Sequence, residues 1–511
     1  MKQFFIISIL LLSHLAVGQT KLEIVQAGSL AGDRSNGHDW QFLVDDVILK
    51  QGETLLYCDS ALLDKEKNKA KMYGNVRIEG DSANLKCDSL YYKGNSKKAM
   101  AFSRVRLDHK GLSLKTEVLN WDRENDIAYY LTEGLIKDGE KDLYSKKGKY
   151  DLQKEEFFFR DSVRLKHPKY EMEGDTLLYN SHTEVSYFFG PSYIYSESST
   201  IYCENGWYNT VNDRAQFNKN AVLSTETQTL KGDSLYYDRI ASYGQGFQNV
   251  ELKDTVEGVR ITGDYGIYYE SLKIGKLWDS ATAILDFGGD SMYLHADTLK
   301  WQNDSADAAR LSSYPFTRFF QKSMAGQCDS LHYSESDSMM YMFRAPILWS
   351  GVNQIVADSI RMKMKGKGMD KMYLRKNAFI ASEEDSIRYQ QIKGKNMLGF
   401  FNTDELYRID VNGNGQSIYF VTEDDGDFLG INVVECSDMR MYLKNNDVQT
   451  ISFINKPASD LWPPEDLPEA QWYLEQFNWF GAWRPDSIHD IYVDPRVSDT
   501  PEEPVSGSNE P

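Results

Sequence analysis

The sequence predicts an all-β protein, an elongated open β jelly roll or solenoid of about a dozen repeats of about 29 residues with two bent strands each. Three observations support this prediction. A hexapeptide related to Cys-Asp-Ser-Leu-Tyr-Tyr recurs at a fixed interval, its apolar positions alternate with variable ones, and no long amphipathic helix is evident. Alternation with a period of two places one face of a strand on a core and the other face in water.

The repeat is clearest where copies of the hexapeptide start at positions 58, 87, 116, 145, 174, 203 and 232, which are six successive steps of 29 residues. Looser copies continue to about residue 455. A second element, an aromatic residue followed by polar or glycine residues and Val-x-Leu, lies between the hexapeptides. Two strands of about ten residues and two turns fit a unit of this length. Gly74 and Asn75, and the Asp-Ser of the hexapeptide, are interpreted as mid-strand bends that carry each strand onto an opposing sheet.

The segments outside the repeats are assigned by their composition. Residues 1–18 join one lysine, an apolar stretch and small residues before a cleavage point, which predicts a cleavable secretory signal peptide and export to the periplasm. No later apolar run is long enough to predict a transmembrane helix. Residues 19–49 are predicted as the first strands of the jelly roll and 50–455 as its repetitive body. Residues 456–496, rich in Pro and Trp, are predicted to cap the last edge, and 497–511 to form a disordered acidic tail.

The net charge of −19 argues against a nucleic-acid partner, because phosphate contacts need clustered Lys and Arg. Short basic runs, at 65–71 and at Arg104 with Arg106, are interpreted as solvated faces, with phosphate contact as the alternative. The five cysteines lack C-x-x-C spacing, so neither a zinc site nor a disulfide framework is predicted. They are Cys58, Cys87, Cys203, Cys328 and Cys436.

One copy of the repeat imitates an esterase signature. Gly-Asp-Ser-Leu at 232–235 contains Ser234, and 486–489 supplies an Asp-x-x-His pair. The position of Ser234 is occupied by Val118 and Lys147 in sister copies, so the serine is interpreted as part of a strand bend. One aspartate per repeat is too few for a calcium ladder, and the histidines show no metal-binding spacing. No catalytic residue, metal site or cofactor is predicted, although a pair of glycosidase carboxylates stays open because acidic residues are abundant.

The apolar inner rows are the remaining candidate site. A filled core explains their pattern, and the pattern favours that reading over a trough between incompletely closed sheets that holds acyl chains. The predicted residues of such a lipid-binding groove are Leu90, Tyr92, Val105, Leu107, Leu119, Trp121, Val163, Leu165, Leu177, Tyr179, Leu235, Tyr237, Val250 and Leu252.

The segments at 73–92 and 247–269, with their Gly-Asn-Val or Gln-Asn-Val bends and terminal Tyr-Tyr pairs, resemble the OstA-like family. Members of that family are lipopolysaccharide-transport proteins: the soluble periplasmic bridge protein and the N-terminal domain of the outer-membrane translocon. The resemblance covers most of 22–455. It implies an open β jelly roll whose groove shields the acyl chains of lipid A. It also implies end-to-end strand addition to other envelope proteins of the Lpt type, without covalent chemistry or a cofactor.

The resemblance therefore predicts a non-enzymatic protein that carries lipopolysaccharide toward the outer membrane, in the periplasm or in association with that membrane. Two alternatives stay open at this stage. The chain is a structural β solenoid of the envelope or surface without lipid cargo, or, with less support, a polysaccharide-active enzyme on a β-solenoid frame.

Overall fold

The computed structural model describes residues 20–33, 40–254, 258–286, 290–303, 308–365, 368–402, 405–422, 428–444, 447–497 and 505–506. These residues form strands and short 3₁₀ turns and no α-helix, so the prediction of an all-β protein is confirmed. The predicted signal peptide lies outside the described residues, as does most of the predicted tail at 497–511. The chain divides into two compact units, residues 1–212 and 213–511.

Unit 1 has sixteen strands and a 3₁₀ turn at Gly94–Ser96 among its described residues. The strands are β1 Glu23–Gln26, β2 Ser29–Asp33, β3 Trp40–Gln51, β4 Thr54–Asp64, β5 Lys69–Glu79, β6 Asn84–Lys93, β7 Lys98–His109, β8 Leu112–Asp122, β9 Ile127–Tyr130, β10 Gly134–Asp138, β11 Lys141–Ser145, β12 Lys147–Asp151, β13 Glu156–His167, β14 Tyr170–Asn180, β15 Val185–Ser196 and β16 Thr200–Asn209.

The strands of unit 1 form an antiparallel meander. From β3 to β8 each strand pairs with the next, and β13 to β16 do the same. Between them, the two halves of β8 continue into separate short strands. β9 and β12 extend one half, β10 and β11 extend the other, and β13 rejoins them. The split falls where the repeat departs from its hexapeptide, at Ser145 and Lys146.

Unit 2 has twenty-two strands among its described residues, with 3₁₀ turns at Glu270–Leu272, Glu469–Gln471, Gly481–Trp483 and Ile488–Tyr492. The strands are β17 Arg214–Ser224, β18 Gln228–Asp238, β19 Tyr243–Asp254, β20 Val259–Tyr269, β21 Ile274–Asp286, β22 Ser291–Asn303, β23 Ala309–Tyr314, β24 Thr317–Gln321, β25 Met324–Cys328, β26 Ser330–Ser334, β27 Met339–Phe343, β28 Ile347–Ser350, β29 Asn353–Val356, β30 Ser359–Lys365, β31 Gly368–Glu383, β32 Tyr389–Asn402, β33 Glu405–Thr422, β34 Phe428–Lys444, β35 Asp447–Ile454, β36 Ala458–Trp462, β37 Asn478–Trp479 and β38 Val505–Ser506.

The long strands bend at β-bulges. In β5 the register shifts between Tyr73 and Val76, and the two residues between them, Gly74 and Asn75, have positive φ angles of 76° and 43°. Two residues of β5 therefore face a single residue, Asp88, of β6, which is the arrangement of a bulge. The sequence predicted a bend at this place. Positive φ recurs at steps of 29 residues at Asp46, Asn75, Arg104, Glu133 and Ser162, and after a double step at Asn220 and Asn249. The number of repeats and the closure into a jelly roll stay predictions.

The hairpin turns repeat as well as the bends. The side chain of Asp122 accepts a hydrogen bond from the backbone N–H of Asn125 at 3.4 Å, and Asp151 accepts one from Lys154 at 3.1 Å. This Asx turn fixes a tight reversal directly after the strand. Asn180, Asn209 and Asp238, each 29 residues further on, make the same contact.

The segment predicted as a cap begins with a strand and continues as a strap. β36 pairs with β34, and residues 463–497, which we call the C-terminal strap, then cross the outer face of the sheet in unit 2. Buried glutamines hold it. The amide of Gln391 donates to the carbonyl of Trp472 at 2.8 Å and accepts from the N–H of Leu474 at 2.8 Å. Gln354 holds Asn478 and Phe480 in the same way.

Candidate functional site: the inward-facing apolar rows

Each bulge divides a strand into two arms, and each arm presents its own inward row. The arm that carries Leu90 and Tyr92 is called the Leu-x-Tyr arm, and the arm that carries Val105 and Leu107 is called the Val-x-Leu arm. Inward and outward side chains alternate along both arms, as the burial of β5 and β6 shows. The bend is necessary because it lets both arms turn their apolar faces toward one interior.

The predicted groove residues are inward-facing, and most of them are buried. Twelve of the fourteen are at most 5% exposed, and Tyr92 and Leu119 are completely inaccessible. The other two, Tyr237 and Leu252, are partly exposed and lie in unit 2. The rows of unit 1 are therefore packed as a core, and the contact of these residues with lipid stays a prediction.

Small residues opposite the aromatic residues explain how the interior of unit 1 is filled. Along the Leu-x-Tyr arm, cross-strand pairing gives the order Ala70, Tyr92, Ala99, Trp121, Ala128, with Tyr150 next. Tyr92 and Trp121 each lie between two alanines, so the layers interdigitate there, whereas Tyr150 has Ala128 on one side and stacks on Phe157 on the other. These small residues were not among the site residues predicted from the sequence. In the sequence, such a position can be recognised as an alanine, glycine or serine just before the second element of the repeat, which is the aromatic residue followed by Val-x-Leu.

Polar contacts join the two arms at the ends of the aromatic rings. The hydroxyl of Tyr92 donates to Gln51 at 2.6 Å, and that of Tyr179 donates to Asp138 at 2.7 Å. In each case the partner lies 41 residues upstream, at the far end of a Val-x-Leu arm. A third pair with the same spacing joins Tyr150 to His109. We call these three contacts the latch pairs, because each one joins the ends of opposite arms.

Burial shifts the pKa values of the latch groups. It raises the pKa of the Tyr92, Tyr150 and Tyr179 hydroxyls, and the carboxylate of Asp138 raises that of Tyr179 further. Burial also lowers the pKa of His109, with a smaller contribution from Lys110. The latch pairs of unit 1 are therefore uncharged at the phenol and at the imidazole near neutral pH.

The inward rows of unit 2 are more exposed at β18 to β22. Pairing places Ala215, Tyr237, Gly244, Tyr268 and Gly275 side by side, followed by Trp301. Trp301 occupies the space that a Cβ at Gly275 would need, whereas nothing approaches within 3.8 Å of the corresponding position at Gly244.

The accessible inward side chains of this region form one group. Tyr268 is 37% exposed, in contrast to the buried aromatic residues of unit 1. We call the group the half-exposed stretch, and its members are Leu230, Tyr237, Leu252, Tyr268 and Trp301. Within unit 2, the inward rows contact solvent over these consecutive strands.

The core adjoining the half-exposed stretch is rich in methionine. Leu230 and Trp301 pack against it. An unbranched, flexible thioether side chain fills irregular gaps and adapts to a changed neighbour more easily than a branched one. The core includes Met292, Met324, Met340, Met342, Met362, Met369, Met372, Met397, Met439 and Met441.

The esterase-like motif occupies an ordinary position in β18. The hydroxyl of Ser234 donates to Asn218 at 2.7 Å and accepts from Gln216 at 3.2 Å. Both partners lie on the neighbouring strand β17, so the serine links two strands. The five cysteines are buried and unbonded to each other. In the described part of the chain, no three His, Cys, Asp or Glu side chains are arranged to hold a metal ion.

The fold and its rows define a repetitive all-β protein with an apolar interior between bent strand arms. The family model of the OstA-like proteins matches residues 19–175. The resemblance to that family, which the repeat predicted, is confirmed over this segment. No curated protein matches the chain. No helix of the described residues has the length and hydrophobicity that a membrane span requires.

One solved structure that aligns with the chain is LptH of Pseudomonas aeruginosa, the LptA homologous periplasmic component of the conserved lipopolysaccharide transport device. The alignment has 12% identity and a TM-score of 0.14, and it covers 26% of this chain and 79% of LptH. A TM-score this low carries no structural argument.

Proposed function

We propose that this protein is a non-enzymatic periplasmic carrier that binds acylated glycolipid, lipopolysaccharide being the expected cargo, and passes it toward the outer membrane. The observation that carries the proposal is the set of inward apolar rows of unit 2, which is solvent-accessible at the half-exposed stretch. Apolar side chains that face an interior and still contact water offer a site for acyl chains. The OstA-like family of residues 19–175 supports the same class of function.

We expect the two units to differ in how readily lipid contacts their inward rows. The latch pairs and the aromatic layers of unit 1 leave its predicted groove residues buried, so acyl chains enter there only if the arms separate. In unit 2, Tyr237 and Leu252 face the interior and are already partly exposed. The neighbouring methionine core can repack around a chain that enters. We therefore expect the first lipid contacts at Tyr237, Leu252 and Tyr268.

Adjacent tyrosines on opposite faces of β18 provide a matched test. A photo-crosslinking amino acid replaces Tyr237, which faces the interior, or Tyr236, which faces outward; both residues are half-buried. The protein is expressed in its native envelope, irradiated and purified, and the adducts are identified by lipid mass spectrometry. We expect an acylated glycolipid adduct at position 237 and none at 236. Equal capture at both positions, or capture at neither 237 nor 252, would rule the carrier out.

A second candidate, a structural scaffold without cargo, is favoured by one observation. The predicted groove residues of unit 1 are no more than 5% exposed, which is the burial expected of a filled core without a ligand. Native extraction distinguishes the two functions. A scaffold yields no stoichiometric lipid after mild purification, whereas a carrier retains acylated glycolipid, and a crosslinker at Tyr237 captures it.

A further inference from the structure

The outer face of unit 1 carries cations on four successive strands. Cross-strand pairing places Arg77 of β5 opposite Lys86 of β6, Lys86 opposite Arg106 of β7, and Arg106 opposite Lys115 of β8. All four side chains are exposed and belong to the Val-x-Leu arms. Because neighbouring strands are about 4.8 Å apart, the four residues span about 15 Å. We call them the cationic row.

Like charges directly opposite each other on a sheet are destabilising. Each arginine of the row has a carboxylate two residues further along its strand, Glu79 at 3.6 Å and Asp108 at 2.8 Å. The two lysines, Lys86 and Lys115, form no ion pair with any residue that the structure describes. The chain has 76 acidic and 57 basic residues, so carboxylates are not scarce. The unneutralised lysines point to an anion that is not part of this chain.

The residues at both ends of the row favour a lipid interface. The guanidinium of Arg77 lies 4.0 Å from the ring centre of Tyr57, the preceding residue of the same outward row. Beyond Lys115, cross-strand pairing leads to Leu135 and then to Tyr144, and Tyr144 is 37% exposed. Tyrosine beside arginine and lysine is the side-chain composition typical of the headgroup region of a membrane.

We propose that the cationic row docks unit 1 on an anionic phospholipid surface, with Lys86 and Lys115 contacting lipid phosphate groups. A single bound phosphate needs donors that converge on one point. The four cations instead lie side by side on successive strands, which suits a planar array of anions. This inference goes beyond the proposed function, because it concerns the outward face and requires no acyl chain in the interior.

A vesicle-flotation experiment on the full chain tests the proposal. Vesicles of phosphatidylcholine alone are compared with vesicles that also contain phosphatidylglycerol, at low and at physiological salt. We expect binding to the anionic vesicles only, and weaker binding at higher salt because the charges are screened. The double variant Lys86→Gln/Lys115→Gln should bind about thirtyfold more weakly, since each lysine near an anionic surface contributes about fivefold.

The control is the double variant Lys137→Gln/Lys166→Gln. It makes the same change of charge on the same arms, but these lysines already pair with Asp142 at 3.3 Å and Glu171 at 3.6 Å. Its binding should stay much closer to that of the wild type. An equal loss in both variants, or equal binding of the wild type to both kinds of vesicle, overturns the proposal. So does full release by inorganic phosphate where chloride of equal ionic strength releases little, because the site then serves free phosphate. The urea midpoint of each variant shows whether it is folded.

Discussion

The side-chain amide of Asn249 donates a hydrogen bond to the carboxylate of Asp233 at 3.0 Å, across the bulge of β19. The pair Asn75 and Asp59, also 16 residues apart, repeats this contact at 3.0 Å. In other repeats the donor is the arginine of Arg104–Asp88 or Arg344–Asp329. The aspartate of the repeated hexapeptide therefore fixes the bulge of the following strand. This role accounts for the recurrence of Asp-Ser without either a nucleophile or a calcium ladder.

The bulge predicts that two substitutions of Asn75 lower the free energy of unfolding by clearly different amounts. Its φ of 43° is a left-handed conformation, which asparagine and glycine tolerate and a β-branched residue does not. Asn75→Val should lower the free energy of unfolding by about 1–2 kcal/mol, and Asn75→Gly should lower it by less. Urea unfolding followed by circular dichroism measures both. Equal losses in the two variants contradict the assigned role of the backbone conformation.

The sequence predicted the local features because they are encoded within single repeats. The bend at Gly74 and Asn75 and the alternation of Leu90 and Tyr92 need only neighbouring residues for their recognition. The latch pairs depend on partners such as Gln51 for Tyr92, which lie more than one repeat away. No period or motif in one strand reveals such a partner. The sequence predicted a cap at 456–496, but the course of the C-terminal strap was beyond prediction, because its binding depends on isolated glutamines of distant strands.

The cysteines should be unreactive in the folded protein. Burial raises the pKa of both Cys58 and Cys87 to about 12 and that of Cys203 to about 11. Only the thiolate is nucleophilic, so alkylation at neutral pH needs prior unfolding. We expect mass spectrometry to find no maleimide adduct on the native chain and five adducts on the urea-unfolded chain. Rapid labelling of the native chain contradicts the burial of these side chains.

The attachment of the C-terminal strap to the sheet of unit 2 should depend on Arg318. Arg318 is 2% exposed, and its guanidinium donates to the carbonyl oxygens of Trp483 at 2.7 Å and Val493 at 2.5 Å. Burial lowers its pKa to about 10, so the arginine remains charged at neutral pH. Arg318→Met leaves two carbonyl oxygens without a donor, which costs about 1–3 kcal/mol each when such groups are buried.

Limited proteolysis reports on this loss, because a released strap exposes its backbone to cleavage. We expect faster cleavage within residues 463–497 in Arg318→Met than in the wild type. Arg361→Met is the control, since Arg361 is exposed and its contact is with the ring of Tyr341 in the sheet. Equal cleavage of the two variants contradicts the role of Arg318.

The latch pairs predict unequal effects for two neighbouring tyrosines of β6. Tyr92 is inaccessible and bonded to Gln51, whereas Tyr91 faces outward and is half-buried. Tyr92→Phe leaves a buried amide oxygen without its donor and should lower the free energy of unfolding by about 1–3 kcal/mol. Tyr91→Phe should change it by about 0.5 kcal/mol or less. Urea midpoints compare the two. A loss in Tyr91→Phe as large as that in Tyr92→Phe contradicts the latch.

Acidification should weaken the latch between His109 and Tyr150, whose side-chain atoms Nδ1 and Oη are 2.5 Å apart. Burial lowers the pKa of His109 below its ordinary value of 6.5, so the folded state favours the neutral imidazole more than the unfolded state does. The unfolded chain therefore binds a proton first as the pH falls. The contribution of His109 to the free energy of unfolding is therefore complete above about pH 6.5. It decreases as the pH falls from there to the pKa of His109 in the folded state.

The variant His109→Gln isolates this contribution. Its urea midpoint should fall less between pH 8 and pH 5 than that of the wild type, since the amide does not titrate. Part of the dependence should remain, because burial also lowers the pKa of His295 and His332. The carboxylates whose pKa is lowered, such as Glu155, titrate below this window and leave the comparison unaffected. An unchanged pH dependence in His109→Gln would show that the imidazole is as easily protonated in the folded chain as in the unfolded one.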